Sequence, residues 1–171
     1  MSHLDDTPTN PSMPSRGTRV FTYWSVVVLG VLVDQAVKAA VRATLPVGLR
    51  APLIPGVIEL FHVENSGAAF SLGQGAGMLF VGFALAVLFG VLYVVGRFEL
   101  SLPLVISLST VSAGGVGNMI DRIASGTVTD YLNATFVSFP VFNVADIFVT
   151  CGVGVSLVLY FVWETRRADE R

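Results

Sequence analysis

The sequence predicts an all-α membrane protein with four transmembrane helices and a small extracytoplasmic β-rich segment between helices one and two. Three observations lead there. The 171 residues are 53% hydrophobic and 13% charged, with a mean hydropathy of +0.73, far more apolar than a soluble domain. Four apolar runs approach the roughly 20 residues needed to cross a bilayer. Two connections, about Arg42 to Gly75 and Asp121 to Asn143, are too long for helical turns, and loops of that length are usually functional.

Residues 1–19 open with "MSHLDDTPTNPSMPSRGT", rich in Pro, Ser, Thr and Asp with little to bury, which predicts a disordered cytoplasmic tail. The first helix follows over about Val20 to Val41, without the small-residue cleavage site of a removable signal peptide. "GVIELFHVENSGAAFSL" (Gly56 to Leu72) combines β-branched and aromatic residues with "NSG", predicting a short strand and turn at the membrane interface. Helices two (about Ala76 to Val95) and three (about Leu100 to Ile120) are separated by a "GRFE" turn. Helix four runs from about Val144 to Trp163, closing a four-helix membrane domain over 20–165 before a second cytoplasmic tail, 166–171.

An even number of spans puts both termini on one side, and Lys/Arg placement chooses which. Arg16, Arg19, Arg97, Arg166, Arg167 and Arg171 fall at one set of span ends, against Lys38, Arg42, Arg50 and Arg122 at the other. Both termini are therefore expected in the cytoplasm and the two long loops outside. A net charge of −2 leaves no electrostatic footprint for nucleic acid. The single cysteine, Cys151, cannot form an internal disulfide and reads as a small, soft hydrophobe with a structural role in an apolar run. His3 and His62 lack metal-ligand spacing, so neither a metal nor a cofactor is expected, and His62 reads as structural.

On this topology the polar clusters all fall at the outer helix ends: "DQAVK", "ENSGAAF", "GNMIDR" and "FNVAD". Asp34 and Lys38 lie four apart, on one helical face, where they can neutralise each other. Asp121 has Arg122 beside it, a residue suited to gripping a carboxylate or a lipid phosphate. Asn65, Asn118 and Asn143 can each donate and accept, and so orient a carboxylate or an extended peptide. Asp130, in "GTVTDYLN", and Asp146, at the mouth of seventeen uncharged residues from Ile147 to Trp163, have no adjacent cation. An ionised Asp in hydrocarbon costs about 3 kcal/mol or more, so one placed there has a partner or a task. Two such carboxylates brought together cannot both ionise easily, and the pair can act as base and acid on one water molecule.

Other classes fit less well. A Ser/Lys protease would pair Lys38 with Ser66 or Ser71, but a salt-bridged lysine stays protonated and cannot serve as base. An ion carrier needs a polar relay through the bilayer, and helices two and three offer nothing charged at depth. A structural subunit would explain Gly82, Gly90, Gly152 and Gly154 as packing residues but not the aspartates.

The ordered blocks "DQAVK", "ENSGAAFSL", "GGVGNMIDR", "GTVTDY" and "FPVFNVAD", spread over about Tyr23 to Trp163, resemble the lipoprotein signal peptidase family, also called signal peptidase II. The resemblance implies a membrane-embedded aspartyl endopeptidase of the bacterial cytoplasmic membrane. Such an enzyme removes signal peptides from prolipoproteins, cutting before a diacylglyceryl-modified cysteine, and is the target of globomycin. It implies Asp130 and Asp146 as catalytic residues. Asp34, Lys38, Asn65, Asn118, Asp121, Arg122 and Asn143 become the supporting shell and substrate groove, and the Leu53 to Leu72 region the peptide cradle. The expected partners are the prolipoprotein and membrane lipid, with the enzyme a monomer. Asp130-Tyr131 stands where the family often has Asp-Phe, a change expected to leave the carboxylate in place.

Overall fold

The computed structural model describes residues 13–67 and 75–169. The first twelve residues of the tail, Ala68 to Leu72 of the expected cradle, Ser71 among them, and Arg171 lie outside these. Four helices are long and apolar enough to cross a membrane: α1 (Arg16–Thr44), α2 (Gly77–Arg97), α3 (Leu102–Ser125) and α4 (Val144–Asp169). α3 is the most buried span and packs against all three others. Tyr23, Val27, Leu88, Val95 and Val105 form the apolar core where α1, α2 and α3 meet, and the Tyr23 hydroxyl donates to the Leu88 carbonyl at 2.7 Å.

The helices outrun the expected boundaries. α1 starts at Arg16 rather than Val20, because the Ser15 hydroxyl accepts the Thr18 N–H at 3.1 Å as an N-cap. Arg19, expected in the tail, is buried and donates to the carbonyls of Val95 (3.0 Å) and Pro14 (2.6 Å). It thereby satisfies a carbonyl at the C-terminus of α2, where a cation is favoured. α4 likewise continues past residue 165.

The β structure is larger than expected. β1 (Arg50–Ile54) and β2 (Ile58–Asn65) form the anticipated segment between α1 and α2, and β3 (Val128–Ala134), from the α3–α4 connection, completes an antiparallel sheet of order β1-β2-β3. Arg50 binds Glu59 across the β1–β2 pair and lies over the Phe61 ring. Leu132 exchanges backbone hydrogen bonds with Phe142 (2.8 and 3.0 Å), which ties the start of α4 to β3.

Of the glycines expected to pack helices, only Gly152 does so. A Cβ there would meet the Ser107 carbonyl oxygen at 2.9 Å, whereas one at Gly82, Gly90 or Gly154 would meet nothing within 4 Å. Cys151 is exposed on α4, where it lines a cavity beside Ile147 and Thr150.

Candidate active site

The C-terminal ends of α1 and α3, the N-terminal end of α4 and strands β2 and β3 meet in one polar cluster. In register, Asn65 pairs with Val128 and Val63 with Asp130, so Asn65 and Asp130 are diagonal neighbours on one face of the sheet. Glu64, Thr127 and Thr129 occupy the other face, where Glu64 accepts from both hydroxyls (2.5 and 3.3 Å) and from His62 (3.1 Å). His62, also bonded to the Leu45 carbonyl, is buried structure, as expected.

α4 begins with a reciprocal cap. Asn143 Oδ1 accepts the Asp146 N–H at 3.0 Å, and Asp146 Oδ2 accepts the Asn143 N–H at 3.0 Å. This is the capping-box arrangement, read here from N-V-A-D in place of S/T-x-x-E. The cap fixes one oxygen of Asp146; the other, Oδ1, accepts from Asn118 Nδ2 at 2.8 Å. Asn143 Nδ2 reaches the opposite way, to Asp130 Oδ1 at 2.7 Å, and Asn65 Nδ2 donates to Asp130 Oδ2 at 2.9 Å. One asparagine therefore holds both Asp130 and Asp146.

Each amide has its direction set by what its oxygen receives. Asn65 Oδ1 accepts the Gly67 N–H (2.9 Å), Asn118 Oδ1 accepts from Lys38 (2.8 Å) and Asn143 Nδ2 (3.0 Å), and Asn143 Oδ1 accepts the Asp146 N–H. With the oxygens so engaged, all three NH₂ groups face the two carboxylates. Asp130 is 3% exposed, and burial pushes its carboxyl up to about 7, against the pull of the Asn65 hydrogen bond.

Beneath this layer lies an ionic one. Lys38, fully buried, places its ammonium 2.9 Å from Asp34, 3.0 Å from Asp121 and 2.8 Å from Asn118, so all three of its protons are used. The Asp34–Lys38 pair is the one the helical spacing predicts. Asp121 differs from expectation: its ion pairs are with Lys38 and, at 3.6 Å, Arg42, not with Arg122. Adjacent residues on a helix point about 100° apart, so sequence neighbours do not face each other. Arg122 instead donates to the Gly67 carbonyl at 2.9 Å, lies over the Phe80 ring, and lines a cavity of ≈ 430 Å³ with Asn65, Asn118, Asp130 and Asp146.

Several members escaped sequence reasoning. Gln35 donates to Asp34, Asp121 and the Gly117 carbonyl (3.1 to 3.2 Å), and Thr129 offers its N–H to Asp121. The Tyr131 hydroxyl accepts the Val144 N–H at 3.3 Å at the start of α4, so the Tyr-for-Phe difference adds a contact. Asp34 Oδ1 accepts the Ala145 N–H at 3.1 Å, linking α1 to the same turn of α4. The capping spacing of Asn143 and Asp146 was the one available local signal; the rest depend on residues far apart in sequence.

Gly117 makes the Asp34 contacts possible, since a Cβ there would lie 2.5 Å from Asp34 Oδ2 and 3.3 Å from the Ala145 methyl. Gly117→Ala is expected to cost about 1–3 kcal/mol by displacing Asp34 from Lys38 and Ala145. Thermal unfolding in detergent measures it; an unchanged midpoint would contradict the tight fit.

Comparisons with known proteins bear on the family and the fold. A family model described as signal peptidase (SPase) II matches residues 26–162. Proteins named lipoprotein signal peptidase from Streptococcus pneumoniae and Symbiobacterium thermophilum are 37% and 41% identical, over 78% and 82% of this chain and 88% and 93% of theirs. A solved bacterial membrane enzyme, determined by the in meso method, superposes with a TM-score of 0.80 at 26% identity, over 91% of this chain and 93% of that one. With four spanning helices, and a family match over most of its length, the chain belongs to the signal peptidase II family, membrane peptidases of the aspartic type.

Proposed function

We propose that Asp130 and Asp146 are the catalytic pair, activating one water molecule to cut a prolipoprotein immediately before its diacylglyceryl cysteine. The observation that carries this reading is Asn143, which donates to both carboxylates at 2.7 and 3.0 Å. Asp130, with its raised affinity for a proton, is the acid, and Asp146 is the base. Asp146 takes a proton from water as the oxygen attacks the scissile carbonyl carbon, and Asp130 gives its proton to the carbonyl oxygen. The resulting diol collapses: one hydroxyl returns its proton to Asp130 as the C=O bond re-forms, the C–N bond breaks, and the proton held by Asp146 passes to the leaving amine of the cysteine, which restores both carboxyls to their starting states. Asn65, Asn118 and Asn143 orient the pair, Asp34, Lys38 and Asp121 hold those amides in place, and Arg122 contacts the peptide. No step uses a metal or cofactor.

The excess of arginine at the Arg16, Arg97 and Arg166 ends supports cytoplasmic termini and a site near the outer membrane face. A monomer suffices, because one chain supplies every group named. At that depth the lipid chains of the substrate hold the scissile bond at the dyad, each buried methylene contributing about 0.8 kcal/mol. Turnover is therefore expected to be much greater on lipidated than on unlipidated precursor at matched concentration, with Asp146→Asn as the blank. Equal turnover would leave an aspartic peptidase but remove the lipoprotein specificity.

A further inference from the structure

β2 carries one residue more than β3 in the stretch that leads to the site. Leu60 pairs with Leu132 and Val63 with Asp130, so Phe61 and His62 together stand opposite Tyr131 alone. This is a β-bulge, and an extra residue in one strand turns every later side chain to the other face. Glu59, before the bulge, bonds Asn133 at 2.7 Å on the side of the sheet away from Asp130. Strict alternation would put Asn65 on that side too. The bulge brings it round to Asp130 instead, where its amide donates at 2.9 Å.

His62 ties the bulge down. Its side chain is 3% exposed; Nδ1 donates to the carbonyl of Leu45, the C-cap of α1, at 2.6 Å, and Nε2 bonds Glu64 at 3.1 Å. A carbonyl only accepts, which fixes a proton on Nδ1. The backbone turns the same way: the His62 N–H donates to the Leu49 carbonyl (3.3 Å), and the His62 carbonyl accepts from Gly48 (2.8 Å). Leu45, Gly48 and Leu49 all lie in the segment just after α1, the helix whose Lys38 sets the direction of Asn118. Glu64 in turn accepts from the Thr127 and Thr129 hydroxyls, so the same contact holds the part of β3 that leads into Asp130.

We propose that His62 is a positioning residue for the catalytic pair: by clamping the β2 bulge to the C-terminal cap of α1, it holds the Asn65 amide against Asp130. The proposal rests on the reading of Asp130 as the catalytic acid. It gives a part in the reaction to a buried side chain that bonds neither carboxylate of the pair.

The pH dependence of kcat on lipidated precursor tests it. The Asn65 hydrogen bond favours the charged form of Asp130, so its loss lets the acid keep its proton to higher pH. The other charged or titratable groups around Asp130, which are Lys38 of α1, Arg122 of α3, Tyr131 of β3 and Asp146 of α4, are the same in every variant. Asn65→Ala should therefore move the alkaline limb of the profile upward. His62→Phe, which keeps an aromatic ring and loses both bonds, should move it the same way and lower kcat by up to about 10²-fold. In the Asn65→Ala background it should add little to either effect, because His62 acts through Asn65. His62→Gln, with a donor toward Glu64 and none toward Leu45, should also move the limb upward, and it decides the matter where the phenylalanine variant does not fold. A limb left at its parental pH in a folded His62 variant, as expected of a residue that only stabilises the sheet, would overturn the proposal, and so would full additivity with Asn65→Ala. A limb unmoved in Asn65→Ala itself would instead sink the reading of Asp130 as the acid.

Discussion

Asp130→Asn and Asp146→Asn are each expected to remove prolipoprotein cleavage, a loss on the order of 10²–10⁴-fold or more, while the protein still folds in the membrane. The amide keeps the shape of the carboxylate, and an Asn at 146 retains an oxygen to accept the Asn143 N–H, so the start of α4 survives. What is lost is a group that can take or give a proton. Cleavage assays on lipidated precursor, with yield and thermal midpoint in parallel, measure both. Full activity in either variant would rule out the dyad. The pH dependence follows from Asp130, whose carboxyl sits at about 7 because burial disfavours its charge. Turnover should fall as pH rises through that value and the acid loses its proton. Folding stability should move the same way: the folded state holds a proton that the unfolded chain, with an Asp near 3.9, releases earlier, so stability is lost as pH climbs from about 4 to 7.

Lys38→Met should have the largest effect on stability, about 3–5 kcal/mol, because it strands two buried carboxylates. Asp34 is fully buried and Asp121 is 4% exposed, and Arg42, partly in solvent at 3.6 Å, is the only other cation in ion-pair contact among the described residues. Loss of the ammonium also frees Asn118 Oδ1, whose bond to Lys38 keeps the amide NH₂ aimed at Asp146. Unfolding in detergent should thus show a much lower midpoint than for Asp121→Asn, which leaves Lys38 paired with Asp34 and should retain some turnover. A Lys38→Met protein as stable as the parent would mean that the buried pairs do not hold the helices together. A folded but inactive Asp121→Asn beside an active Asp130→Asn would mean that the acid is Asp121.

The four helices, and which polar residues share an end of the bundle, were legible in the sequence. Hydropathy runs are local, and a helix in lipid satisfies its own backbone, so four spans could be read without knowing any contact between them. The Asp34–Lys38 pair was legible for the same reason, being set by one turn of one helix. The N-V-A-D spacing carried a cap that could have been read and was not. Tertiary structure alone decided the partners. Asp121 neighbours Arg122 in sequence yet bonds Lys38, eighty-three residues away, because the helical twist turns the two side chains to different faces. β3 became a strand because β2 offered it an edge, and that register, not any property of "GTVTDY", set Asn65 against Asp130. Hydrogen bonds between distant segments depend on how helices and strands pack, and no local pattern encodes the packing. The sequence thus supplied the aspartates and asparagines, and only the assembled fold determined which amide faces which carboxylate.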